Sequence, residues 1–197
     1  MNLQFLGDAL DHWKGSLLES LQQARVVRNL AADPMASDQH DWQPQDFSLF
    51  ARLLRIDRAR LVPHQFDLSR RKEYFEEITH VGDLFVDPDT GVATSRVKEL
   101  KRYIKPSEIA QLLNLPDRLL VVYQHIQRQK VAARISAVGH VLEQSVPGLH
   151  WCSYESASVA MLFLSRVRQR TAAVETHFFD FLGRHAERRI RGSGRQA

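Results

Sequence analysis

Apolar residues recur every three or four positions over residues 5–22 (Leu6, Leu10, Trp13, Leu17, Leu21), which predicts an amphipathic helix. A short apolar run over Val26–Ala32 predicts a strand. After a polar, turn-rich segment anchored by Trp42 and Pro44, a helix is expected over Asp46–Leu54, with Phe47, Phe50 and Leu54 on one side. Residues 55–65 carry no clean period, although Arg60-Leu61-Val62-Pro63 reads as a short edge strand. Leu68, Arg71, Phe75 and Ile78 repeat as a helix over Asp67–Ile78. Leu84-Phe85-Val86 is too short for a helix and breaks into Asp-Pro-Asp-Thr-Gly, so it reads as a buried strand ending in a loop. Pro106 suits the start of a helix over Ser107–Leu113. A second strand is expected over Arg118–Tyr123 and a helix over residues 127–144. His150–Tyr154 and Val159–Leu164, joined by Glu155-Ser156-Ala157-Ser158, predict a hairpin. A last helix is expected from Arg166 to about Ile190, with residues 192–197 as a frayed tail.

Strands alternating with helices predict one Rossmann-like three-layer α/β domain over residues 1–191. Its sheet is expected to be mostly parallel, with residues 83–87 beside 119–123 and the C-terminal hairpin as an antiparallel edge. A chain of 197 residues is long enough for one such core. No apolar run approaches the ~20 residues of a membrane span, and the N-terminal residues lack the pattern of a signal peptide, so a cytoplasmic protein is expected. One cysteine, Cys152, excludes an internal disulfide and a cysteine-based zinc site, and it reads as a core thiol. The nine histidines contain no H-x-x-x-H pair, so no zinc is expected.

The candidate chemistry gathers at predicted strand ends. Pro88 biases Asp87 towards extended backbone and Gly91 permits a positive φ, so Asp87 and Asp89 sit on a shaped loop. In open α/β sheets this is where ligands bind. Turn-making alone would also account for both acids. Asp33-Pro34 and Gln124-His125 end the neighbouring strands. Asp8, Asp11, His12 and Lys14 join them if the first helix packs over that edge; capping alone explains Asp8 well. Carboxylates from several loops suit Mg²⁺ or Mn²⁺, so Asp8, Asp11, Asp87 and Asp89 are candidate metal ligands. His125 and Lys14 would then handle protons or charge. Glu155 reads either as a site residue or as a solvated turn residue. The net charge of +4 is concentrated late in the chain, where Arg184, Arg188 and Arg191 are expected to share one helix face and contact phosphates. The function these features suggest is a metal-dependent phosphodiesterase acting on nucleic acid. A non-catalytic Rossmann-like binding module is the alternative outside enzymes. The letters Pro88-Asp89…Glu99-Leu100-Lys101 match the PD-(D/E)xK nucleases, but Val97–Arg102 is charged and not strand-like.

The combination of Gly7-Asp8…Asp11…Lys14, Asp87-Pro88-Asp89-Thr90-Gly91 and Tyr123-Gln124-His125 resembles a group of uncharacterised bacterial α/β proteins with GDxxDxxK, DPDxG and YQH motifs. More distantly, the order strand, Asp-Pro loop, helix, strand, helix and hairpin resembles the second half of Rossmann-like methyltransferases. That resemblance implies an S-adenosylmethionine-dependent enzyme modifying RNA or DNA. It also implies that the Asp87-Pro88-Asp89-Thr90 loop holds a target amino group. Asn29–Ser37 contains no glycine, so the usual cofactor turn of that family is not matched.

Overall fold

A computed structural model describes residues 1–37, 41–62, 65–94, 99–126 and 130–193. The elements run α1 (Ala9–Gln23), β1 (Ala31–Asp33), α2 (Pro44–Leu54), α3 (Arg71–Glu76), β2 (Leu84–Val86), β3 (Gly91–Val92), β4 (Tyr103–Ile104), α4 (Pro106–Leu112), β5 (Leu120–His125), α5 (Val131–Ser145), β6 (His150–Glu155), β7 (Val159–Ser165), α6 (Arg168–Leu182) and β8 (Ile190–Gly192). A six-stranded sheet has the order β1-β2-β5-β7-β6-β8, and β3 pairs with β4 in a small sheet of its own. The pairs β1–β2 and β2–β5 are parallel; β5–β7, β7–β6 and β6–β8 are antiparallel. Four of the six strands therefore run in one direction. The expected parallel neighbours are in place, with Leu84 opposite Leu120 and Val86 opposite Val122. The expected hairpin also forms, with Trp151 opposite Leu164.

Alternation along the strands builds a core on each face. Phe85, Val121 and Phe163 pack with Leu18, Phe50, Leu54, Val174 and Phe178 from α1, α2 and α6. Leu84, Val86, Leu120, Val122 and Leu162 pack with Phe75, Ile109, Ile135 and Val138 from α3, α4 and α5. These are the three layers the strand–helix alternation predicts. Leu61 bridges Ala32 on the side of β1 away from β2. The chain thus leaves β1 on one side through α2, then crosses back through α3 to the other. Strand order reverses there, so a crevice opens beyond the carboxyl ends of β1 and β2, as at the ligand sites of doubly wound sheets.

Several boundaries differ from expectation. The first strand is Ala31–Asp33 rather than Val26–Ala32, because Val26 and Val27 close the end of α1 through bonds to the Leu21 carbonyl at 2.9 and 3.1 Å. The helix expected over Asp67–Ile78 is confined to Arg71–Glu76; Asp67 instead holds a local turn, accepting from the Ser69 amide at 2.8 Å. The last helix stops at Gly183, whose φ is +55°. A 3-10 helix (Gly183–Arg188) and the edge strand β8 follow, so Gly192 is paired opposite Cys152 and not part of a tail. Residues 194–197 of that tail, Pro63 of the expected edge strand and the Val97-Lys98 portion of the nuclease-like letters lie outside the described residues.

Candidate functional site

The site begins with α1. Asp8 caps it, its Oδ1 accepting from the amides of Leu10 and Asp11 at 2.8 and 3.2 Å. The face α1 buries includes Asp11, Lys14, Gly15 and Leu18, at helical spacing. Gly15 is required because a Cβ there would stand 1.9 Å from the Leu53 carbonyl oxygen of α2. That close crossing presses Asp11 and Lys14 onto the ends of β2 and β5. Lys14 Nζ donates to Asp11 Oδ1 at 2.9 Å and to Asp87 Oδ2 at 2.7 Å, and it lies 4.2 Å from the centre of the Tyr123 ring. Asp11 Oδ2 accepts from the Gly7 amide at 2.8 Å. Burial lowers the Lys14 pKa, but Asp87 and Asp11 outweigh it and leave the ammonium held above its ordinary value. Burial raises the Asp87 pKa, with Lys14 opposing.

The loop after β2 is fixed by β5. The Gln124 side chain donates to the carbonyls of Thr90 and His125 at 2.9 and 2.8 Å and accepts from the Val92 amide at 2.9 Å. The His125 amide reaches the Thr90 carbonyl at 3.0 Å. Gly91 has φ +120°, and a Cβ would meet the Gln124 amide at 2.4 Å, so no other residue fits. Asp89, next along, receives Arg102 Nε at 2.6 Å, and Arg102 also reaches Glu99 at 3.0 Å. The β1 end is closed: Asp33 Oδ1 accepts from the Tyr74 hydroxyl at 2.5 Å and the Met35 amide at 2.7 Å, while Oδ2 has no partner among the described residues. Burial pushes the Asp33 carboxyl up to about 6, against the lowering effect of these bonds. Met1 is buried over this end, its nitrogen donating to the carbonyls of Pro34, Met35 and Asp87 at 2.8, 2.8 and 2.9 Å.

These elements enclose a cavity of about 330 Å³. Asp8, Asp11, Lys14, Asp87, Asp89 and His125, all singled out from sequence, line it together. Its remaining walls are Met1, Asn2, Phe5, Leu10, Arg102 and Tyr123. Four carboxylates line it beside Lys14, Arg102 and the buried Met1 nitrogen, whose pKa burial lowers while Asp87 and Asp89 oppose. Neither a protein-family profile nor any curated protein matches the chain.

His12 departs from expectation. It is exposed and lines a different groove, with Gly7, Leu49, Arg52, Leu53 and Arg55. The arginine face expected at the C-terminus is not assembled. Arg184 and Arg188 are exposed on the 3-10 helix, and Arg191 lies in β8 with Nε 2.7 Å from Glu155 Oε1. Glu155 is thus buried at an ion pair rather than solvated in a turn. Cys152 is buried, as expected of a core thiol. Tyr123, Arg102 and Phe5 were not legible as site residues. Tyr123 reads as one more apolar strand position, and Arg102 as part of a charged stretch.

A divalent cation fits this set poorly. The point between Asp11 and Asp87 is taken by the Lys14 ammonium, and Asp89 is engaged by Arg102. Among the described residues no three His, Cys, Asp or Glu side chains are grouped to hold a metal. S-adenosylmethionine fits poorly too, because the turn after β1 lacks glycine and is filled by Met1. No helix among the described residues is long and apolar enough to cross a membrane.

Proposed function

We propose that the cavity binds a flat ring bearing an amino group, of nucleobase kind, and that the chain is a Rossmann-like enzyme acting at that group. The observation that carries this is the convergence of four carboxylates, beside Lys14, Arg102 and the Met1 nitrogen, on one partly apolar cavity. An excess of acceptors with negative field favours N–H donors and disfavours bare phosphate. Phe5, 49% exposed at the wall, offers a ring face for stacking, and Leu10 and Tyr123 supply apolar area. The size lies at the lower end of small-molecule sites.

In this reading Asp8 Oδ2 and Asp89 Oδ1, the oxygens that neither the α1 amides nor Arg102 engage, accept the amino protons, while Asp11 and Asp87 are held by Lys14. Lys14 holds those two buried carboxylates in place, which keeps the wall rigid. His125, at the cavity wall and only partly buried, is placed to hydrogen-bond the ring or its amino group. The resemblance to methyltransferases agrees with an amino-group target beside the Asp87–Thr90 loop, but no step here depends on their cofactor. The metal-dependent phosphodiesterase is the second reading, favoured by the four lining carboxylates and opposed by the ion pairs that hold three of them.

Titration calorimetry decides between them. Binding of cytidine or adenosine that is lost in Asp89→Asn supports the amino-group site. Binding of Mg²⁺ or Mn²⁺ at millimolar levels, lost in the same variant, would replace it with the phosphodiesterase. S-adenosylmethionine binding with no nucleoside binding would favour the methyltransferase cofactor over its acceptor. Nucleoside binding without turnover would leave the chain a binding module.

A further inference from the structure

Beside the acidic cavity, on the other side of the first turn of α1, lies an open groove of about 600 Å³ lined by Gly7, His12, Leu49, Arg52, Leu53 and Arg55. The turn divides the two: Asp8, Leu10 and Asp11 face the cavity, while Gly7 and His12 face the groove. The charge reverses across it. Arg52 is exposed at the end of α2 and makes no ion pair among the described residues. Arg55 is exposed and reaches Glu19, an ion pair open to solvent on both sides. Arg58 and Arg60 continue the same stretch, so residues 52–60 carry four arginines against Asp57. Asp57 itself caps the following 3-10 helix, accepting from the Ala59 amide at 2.9 Å.

We propose that this groove binds the phosphate backbone of a single-stranded polynucleotide whose adjoining base enters the acidic cavity past Phe5. The inference rests on the amino-group reading of the cavity. A cavity rich in carboxylates repels phosphate, so a nucleotide can seat there only if its phosphate is received elsewhere. Across the α1 turn, exposed guanidinium groups and His12 provide that place. A cavity of this size admits one unstacked base, which a single strand presents without unpairing. Phe5, exposed at the cavity wall, offers a ring on which such a base stacks, as aromatic side chains do in single-strand binding. The arginines that serve are thus Arg52 and Arg55, which line the groove, not those at the C-terminus.

Fluorescence anisotropy with a labelled single-stranded oligonucleotide of mixed sequence, measured from low to physiological salt, tests this. The full chain is compared with Arg52→Gln/Arg55→Gln and, as a control, Arg184→Gln/Arg188→Gln. The groove double variant is expected to bind more weakly at low salt and to lower the salt slope by about 0.7 for each phosphate it no longer neutralises. The control is expected to leave both unchanged. Because the changed residues are exposed, thermal stability should not move. Equal affinity and slope in wild type and groove variant would overturn the proposal, as would an unlabelled duplex competing as well as the same single strand. The two readings fail separately. If the groove reading alone is wrong, free cytidine still binds and the groove variant shows no defect with the oligonucleotide. If the cavity reading alone is wrong, the nucleoside fails to bind while the groove variant keeps its salt-dependent defect.

Discussion

At the scale of residues, the site is an arrangement of buried charge whose desolvation is offset by close pairing. Lys14 is the single ammonium between Asp11 and Asp87, at 2.9 and 2.7 Å. Replacing it by methionine leaves two buried carboxylates facing each other, and such changes cost about 3–5 kcal/mol. Urea unfolding of Lys14→Met should show a loss of that order; a change below about 1 kcal/mol would mean that the triad is solvated. Asp33 titrates differently. Its pKa stands at about 6, above the usual 3.8, so the folded state binds a proton more tightly than the unfolded chain does. The sign then follows: stability from this group is fully present below about pH 4 and is lost as pH rises towards about 6. A shift of about two units corresponds to up to about 3 kcal/mol. In Asp33→Asn that loss should vanish, so wild-type stability relative to the variant should fall between about pH 4 and about pH 7. A constant difference between the two proteins across this range would refute the assignment. The sequence placed Asp11 and Lys14 at the strand ends on condition that the first helix packs there, which it does. Nothing in it signalled that they share the buried face with Leu18, because hydrophobic periodicity counts charges as outward-facing.

At the scale of elements, the loop from Asp87 to Gly91 depends on its grip by β5. Gly91→Ala meets both a positive φ and the Gln124 amide at 2.4 Å. Destabilisation by about 1–3 kcal/mol is expected, with weaker ligand binding because Asp89 moves with the loop. Wild-type thermal stability and affinity in that variant would show the loop to be independent of Gln124. The turn chemistry of Asp-Pro-Asp-Thr-Gly made this loop readable in advance, and the apolar runs 84–86 and 119–123 made its flanking strands readable. The helix expected to reach Ile190 was misread for an identifiable reason. Arg184, Arg188 and Arg191 keep helical spacing, while Gly183 turns the backbone to positive φ and lets Ile190 drop into an edge strand. Residues 183–190 satisfy a helical pattern locally, and the pairing of β8 with β6, more than thirty residues earlier, overrides it.

At the scale of the whole molecule, the three layers and the parallel pairing of β2 with β5 were legible because strands and helices alternate along most of the chain. The position of the crevice was less so. It depends on Leu61 bridging β1 from the far side, within the short edge strand expected over Arg60–Pro63, whose partner strand the sequence does not name. That bridge makes β1 the turning point of the sheet, while the crossing of α1 on α2 at Gly15 sets α1 over the strand ends, where Asp8, Asp11 and Lys14 meet Asp87, Asp89 and His125. The central claim is that this convergence recognises an amino group on a flat ring. The most direct measurement is calorimetric titration of paired nucleosides that differ at that position: cytidine against uridine, and adenosine against inosine. Cytidine or adenosine should bind at least about tenfold more tightly than its carbonyl counterpart, since a hydrogen bond to a charged acceptor is worth about 1.5–3 kcal/mol. The preference should disappear in Asp89→Asn. Equal binding within both pairs, or a preference for uridine and inosine, would contradict the claim.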